Sequence, residues 1–137
     1  NVLEVAKENA AKFGMADRFH TIPGSAFESD LGTDYDVVLL PNFLHHFDKQ
    51  TCTDFLKKLS GCIKGDGKVA TVEFVPNDDR VSPPMSAMFP LVMLAATPAG
   101  DAYTFPELKK MAEDAGFSHN ELISLEPSPS RLMISSK

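Results

Sequence analysis

Two apolar runs separated by one amphipathic helix constrain this chain more than anything else in it. YDVVLLP, Tyr35 to Pro41, is the kind of run that is buried on both faces of a parallel sheet. After it Cys52, Phe55, Leu56, Leu59 and Ile63 recur at helical spacing, with Asp48 or Thr51 placed to cap the helix. Gly65-Asp66-Gly67 then reads as a turn into a second run, KVATVEFV. A strand, a helix and a strand of these lengths predict a parallel pair joined by a right-handed crossover.

The remaining segments fit around that unit. NVLEVAKENAAKFGM carries Val2, Val5, Ala6, Ala10 and Phe13 at helical spacing and stops at Gly14. RFHTIPG alternates as a short strand ending at Pro23-Gly24. MSAMFPLVMLAATPAG reads as a helix bent at Pro90, and FPELKKMAEDAGF as an amphipathic helix capped by Thr104 and closed by Gly116. SHNELISLEPSPSRLMISSK offers two strands around Pro127 and Pro129. The expected fold is α/β, with parallel strands finished by a terminal antiparallel hairpin.

Composition limits the partners. A length of 137 residues accommodates one modest domain. A net charge of -6 without any basic block argues against a nucleic-acid or acidic-membrane partner. No apolar run approaches the ~20 residues of a membrane span. Cys52 and Cys62 lack a second pair, so neither a zinc site nor a disulfide framework is indicated; buried free thiols in a reducing cytoplasm are expected.

In open parallel sheets ligands gather at the carboxyl ends of the strands, and two loops here leave such ends. Gly24-Ser25-Ala26-Phe27 offers backbone N–H groups, a hydroxyl and an aromatic face suited to an adenine-like ring; a plain turn with Phe27 in the core is the alternative. Pro41-Asn42-Phe43-Leu44-His45-His46-Phe47 should face the same cleft. A metal on His45 and His46 is not indicated, because adjacent residues diverge and no H-x-x-x-H pattern accompanies them. Either histidine suits a general base, with an ordinary pKa of about 6.5, and either also suits packing or helix capping. Glu73, at the end of the KVATVEF strand, points toward the cleft, as do Asn77, Asp78 and Asp79. Met85, Met88, Phe89 and Met93 can line a pocket for a flat ligand or simply pack.

Taken together, these segments resemble the catalytic domain of S-adenosylmethionine-dependent O-methyltransferases of the small-molecule type with an N-terminal dimerisation domain. The resemblance is most specific over YDVVLLPNFLHHFDKQTCTDFLKKLSGCIKGDGKVATVEFV and extends through GDAYTFPELKKMAEDAGF to the hairpin. It implies a Rossmann-like class I methyltransferase fold, S-adenosyl-L-methionine as cofactor, a hydroxyl-bearing small-molecule acceptor, a phenol above all, and a cytoplasmic homodimer. On the family's L-H-D-W-type segment the general base falls on His45, with His46 at the Asp position and Phe47 at the Trp position. Gly24, Ser25, Ala26 and Phe27 match the adenine-contacting G-D-x-F segment with Ser25 in place of Asp. Pro41 and Asn42 fall where the family approaches the methionine part of the cofactor. No metal is implied.

The resemblance also implies that residues 1–137 are the C-terminal part of a single catalytic domain. The family's glycine-rich cofactor loop, its first two strands and its dimerisation domain are expected upstream, so the 137 residues alone are expected to be incomplete as an enzyme. The two absent strands would lie between RFHTIPG and YDVVLLP, which predicts an altered or intermolecular pairing of those two segments. The rival reading is a methyltransferase-like module that binds a ligand or partner without catalysis, supported by Ser25 and His46 at the two departures.

Overall fold

The computed structural model describes residues 2–137, in two compact units that divide between Gly32 and Thr33. The first unit holds α1 (Val2–Lys12) and a 3-10 turn at Ala16–Arg18. The helix forms where its periodicity places it, and Gly14 follows it in the left-handed region at φ +68°. None of its residues is buried, and Val2 and Phe13 are almost fully exposed.

The second unit is a four-stranded sheet with three helices. It runs β1 (Tyr35–Pro41), a 3-10 turn at Leu44–His46, α2 (Lys49–Cys62), β2 (Ile63–Glu73), α3 (Pro84–Ala96), α4 (Phe105–Asp114), β3 (His119–Ser124) and β4 (Arg131–Ser136). The strand order is β1-β2-β4-β3. β1 and β2 pair in parallel, with Val38 opposite Val69 and Pro41 opposite Val72. β4 runs antiparallel to both β2 and β3, closing the expected hairpin. The fold is the expected α/β arrangement.

The core lies between this sheet and the helices. α2 buries Cys52, Phe55, Leu56, Leu59 and Cys62, and α4 buries Leu108, Met111 and Ala112, in both cases the stripe that the spacing marks. Phe117, Val69 and Met133 are completely enclosed. Both cysteines are free and buried. Asp48 caps α2: its carboxylate accepts from the Thr51 N–H at 2.9 Å and from the Thr51 hydroxyl at 2.8 Å. Asp48→Ala is expected to lower the unfolding midpoint while Asp48→Ser retains most of it, as thermal melts of the two variants will show.

Three expectations need correction. RFHTIPG forms no strand, so neither pairing foreseen for it occurs among the described residues. Alternation alone makes no strand, because a strand exists through a neighbour's N–H and C=O groups, and none is supplied to this segment. Gly65-Asp66-Gly67 is not a separate turn: β2 begins at Ile63, and the pairing jumps from Tyr35–Ile63 to Val37–Lys68, absorbing the extra residues in an irregularity. YDVVLLP is not buried on both faces, since Val37 and Leu39 are 59% and 61% exposed. Among the described residues β1 is an edge strand with a neighbour on one side. No helix among the described residues is long and apolar enough to cross a membrane.

Candidate functional site

The site begins where β1 ends. Beyond Pro41 the chain must leave the sheet, and Asn42 does this in the left-handed region at φ +52°, a conformation Asn tolerates better than most residues. Its N–H still donates to the Val72 carbonyl at 2.8 Å, so the turn stays pinned to β2. The following residues form the 3-10 turn of Leu44, His45 and His46.

Glu73, the last residue of β2, organises that turn. One carboxylate oxygen accepts from the N–H groups of Phe43 at 2.9 Å and Leu44 at 2.8 Å. The other lies 2.6 Å from His45 Nδ1. Both side chains are buried, at 3% and 6% exposure. A carboxylate that already receives two N–H groups acts as an acceptor, so Nδ1 donates to it and, in the neutral ring, Nε2 carries the lone pair. That is the tautomer a general base requires.

The two histidines differ sharply in setting. His45 is enclosed, with the edge of Phe89 at 4.9 Å between ring centroids, and Phe89 in turn stacks on Phe74 at 4.3 Å. His46 is exposed, its ring centroid 4.3 Å from that of His45. Beside Phe89 lies an open apolar groove of about 750 Å³ lined by Phe74, Pro83, Pro84, Met85, Met88 and Val92. Of the methionines of α3, Met93 packs in the core, while Met85 and Met88 stand exposed along the groove. Cys52, beneath the turn, donates its thiol to the Leu44 carbonyl at 3.2 Å. Burial first, then the charges of Asp48 and Glu73, push this thiol up to about 12, so it is neutral and unreactive at pH 7.

The other candidates fall into place as follows. Gly24, Ser25, Ala26 and Phe27 lie in the first unit. There Gly24 has φ +118°, Ser25 Oγ accepts from the Phe27 N–H at 3.3 Å, and the Ser25 carbonyl accepts from the Ser29 N–H at 2.8 Å. Phe27 is 36% exposed, so its ring is not a core residue. Pro41, Asn42 and His45 belong to the second unit. Asp48 caps α2, and Asp79 accepts from the Val81 and Ser82 N–H groups, so neither is bonded to His45. Asn77 accepts from Arg131 at 2.8 Å.

A charged cluster nearby has no counterpart in the sequence reading. Glu107 accepts from Lys49 of α2 at 2.8 Å, from Arg80 of the loop after β2 at 2.6 Å, and from the Thr104 N–H in a capping box. Burial alone would raise its pKa, but these hydrogen bonds and the Arg80 charge outweigh it and hold the carboxyl at about 2 against an ordinary 4.5. A depressed carboxylate stabilises the fold fully above its unfolded pKa and loses that contribution as pH falls from about 4.5 through about 2. Glu107→Gln is therefore expected to cost about 1–2 kcal/mol near pH 7, after discounting for the solvent-exposed partners. Urea unfolding at successively lower pH should show that difference shrinking.

Comparison with known proteins follows the same lines. A family profile described as an O-methyltransferase domain matches residues 1–118. A solved structure of a protein from Nostoc punctiforme superposes with a TM-score of 0.97 at 56% identity, over 99% of this chain and 42% of that one. The 3-hydroxy-5-methyl-1-naphthoate 3-O-methyltransferase of Streptomyces sahachiroi is 30% identical over 86% of this chain and 34% of its own length. The S-adenosyl-L-methionine-dependent methyltransferase PigF of a Serratia strain is 25% identical over 96% of this chain and 38% of its own. PigF has also been solved with S-adenosylhomocysteine. The chain thus spans between a third and somewhat over two fifths of the length of these relatives.

Proposed function

This chain belongs to the O-methyltransferase domain family, and on that premise we propose that it is the C-terminal part of a catalytic domain that methylates the hydroxyl of a flat phenolic small molecule, with His45 as general base. The observation that carries this reading is the His45–Glu73 pair, buried at the carboxyl ends of two parallel strands, with Phe89 of an apolar groove's lining against the His45 ring. S-Adenosyl-L-methionine, which relatives in the family use, supplies when bound a methyl group already attached to an excellent leaving group. The protein's share is then alignment and proton removal.

The residues present fit part of that cofactor. The exposed ring of Phe27 and the left-handed turn at Gly24 suit the adenine end, with Ser25 and Ala26 between them; Pro41 and Asn42 at the end of β1 suit the methionine end. Their service to one cofactor is part of the proposal. The apolar groove would take the acceptor's ring, with Met85 and Met88 adapting to its flat faces. His45 then takes the hydroxyl proton at Nε2, while Glu73 holds Nδ1–H and stabilises the imidazolium that forms. A phenol, with a pKa near ~10, gains from such a base, whereas a carboxylic acid is already ionised at pH 7. The reading includes a cytoplasmic homodimer joined through an N-terminal domain outside the 137 residues.

Calorimetric titration of S-adenosylhomocysteine into the full gene product, with the 137-residue chain alongside, tests the proposal. Binding by the full gene product and none by the 137 residues is expected, followed by methylation of one or more hydroxynaphthoic acids or flavones in an activity panel. Absence of binding by both would leave the non-catalytic module as the better reading and return His45 to a packing role.

A further inference from the structure

The backbone of the His45 turn is gripped by a strap that no step of the proposed reaction uses. This strap, residues 97–104, leads from the end of α3 into α4. Its Asp101 N–H donates to the His45 carbonyl at 3.1 Å. Its Tyr103 hydroxyl donates to the Phe47 carbonyl at 2.5 Å, from a side chain only 4% exposed. Between these two bonds and Thr97 sits Gly100, where a Cβ would overlap the His45 carbonyl oxygen and lie 2.5 Å from Thr97 Oγ1. That hydroxyl oxygen accepts from the Gly100 N–H at 2.8 Å and itself donates to the Met93 carbonyl at 2.8 Å, tying the strap to α3. Close approach of two backbones, with no room for any side chain, is what makes this position a glycine.

Glu73 holds the N–H side of the turn through Phe43 and Leu44 and holds the His45 ring through Nδ1. The strap holds the carbonyl side. Glu73 fixes the ring through Nδ1, and the strap adds a hold on the backbone carbonyls of His45 and Phe47, so that both the ring and the backbone of its turn are held. α3, from which the strap departs, also carries Phe89 against the His45 ring and Met85 and Met88 along the groove. The groove's helix and the strap that grips the His45 turn are therefore one continuous piece of chain.

We propose that Gly100 and Tyr103 are positioning residues for His45, fixing the carbonyl side of its turn so that the ring meets Glu73 and packs against Phe89 of the groove's lining. The catalytic sense of this assignment rests on the reading of His45 as base. The test uses Gly100→Ala, which forces the overlap, and Tyr103→Phe, which removes one hydroxyl and should leave the fold intact, both in the full gene product. The hydrogen bond between His45 Nδ1 and Glu73 should give a downfield proton resonance, assigned by its loss in His45→Gln. Thermal melting and S-adenosylhomocysteine binding serve as controls, and turnover is followed with a hydroxynaphthoic acid.

In both strap variants the resonance is expected to shift or broaden and kcat to fall on the order of 10- to 100-fold, with KM for S-adenosylmethionine within about twofold, because a small misplacement of a reacting group costs rate and not affinity. A lower melting temperature with the resonance and kcat unchanged would overturn the proposal and leave the strap an ordinary packing element. A shifted resonance in the strap variants beside full turnover in His45→Gln would uphold the grip and overturn the base.

Discussion

Glu73→Ala is expected to destabilise the protein by about 3–5 kcal/mol, because one carboxylate satisfies two buried donors and one half-buried donor and Ala satisfies none. The Phe43 and Leu44 N–H groups and the His45 Nδ1–H would all be left in an interior that water reaches poorly, since Glu73 is 3% exposed and Leu44 completely buried. Glu73→Gln is the informative companion. Its carbonyl oxygen can still accept from the two backbone N–H groups, but its NH₂ then faces Nδ1–H, donor against donor, and His45 must turn or change tautomer. The expected order of stability is Glu, then Gln, then Ala, measured as urea midpoints at constant m-value. A loss below about 1 kcal/mol in the Ala variant would show that the strap at Gly100 and Tyr103 holds the turn unaided.

The residues alone leave His45 and His46 open, each suited to packing or capping as well as to a base, and it is the family resemblance that singles out His45. Glu73 is placed toward the cleft by the sequence, but its pairing with His45 is not legible, because the two are 28 residues apart and become neighbours only through the strand register. Pro41 pairs with Val72, so the first residue beyond that pair on one side is Asn42 and on the other Glu73. Parallel pairing of YDVVLLP with KVATVEF is readable from the runs; the register is not, since the irregularity between Tyr35 and Val37 shifts it by several residues. The helices were legible for a simpler reason. Their apolar stripes at Phe55, Leu56 and Leu59 and at Leu108, Met111 and Ala112 are local, and local periodicity needs no partner to be read. RFHTIPG failed by the same reasoning, since its alternation is local but a strand is not. Glu107 and Gly100 were missed because each acts on segments distant in the chain: Glu107 joins Lys49 to Arg80, and Gly100 lies against the carbonyl of His45.

His45→Gln in the full gene product is expected to lower turnover by about 10²- to 10⁴-fold, the ordinary worth of a positioned general base. Affinity for S-adenosylhomocysteine should stay within about twofold, because a base that meets the acceptor's hydroxyl contributes to the chemical step and little to cofactor binding. Gln is close to His in length and can still meet Glu73 through its amide, so the turn should survive and the loss should be read as chemistry. Acceptor acidity separates a missing base from a damaged site. A phenol of ordinary acidity needs its proton removed during attack; a nitro-substituted phenol, ionised near pH 7, does not. If His45 is the base, the penalty for the variant shrinks on the acidic acceptor toward parity with the natural protein. If the variant loses the same factor on both acceptors, His45 orients the ring or shapes the site, and proton removal belongs to another group or to water.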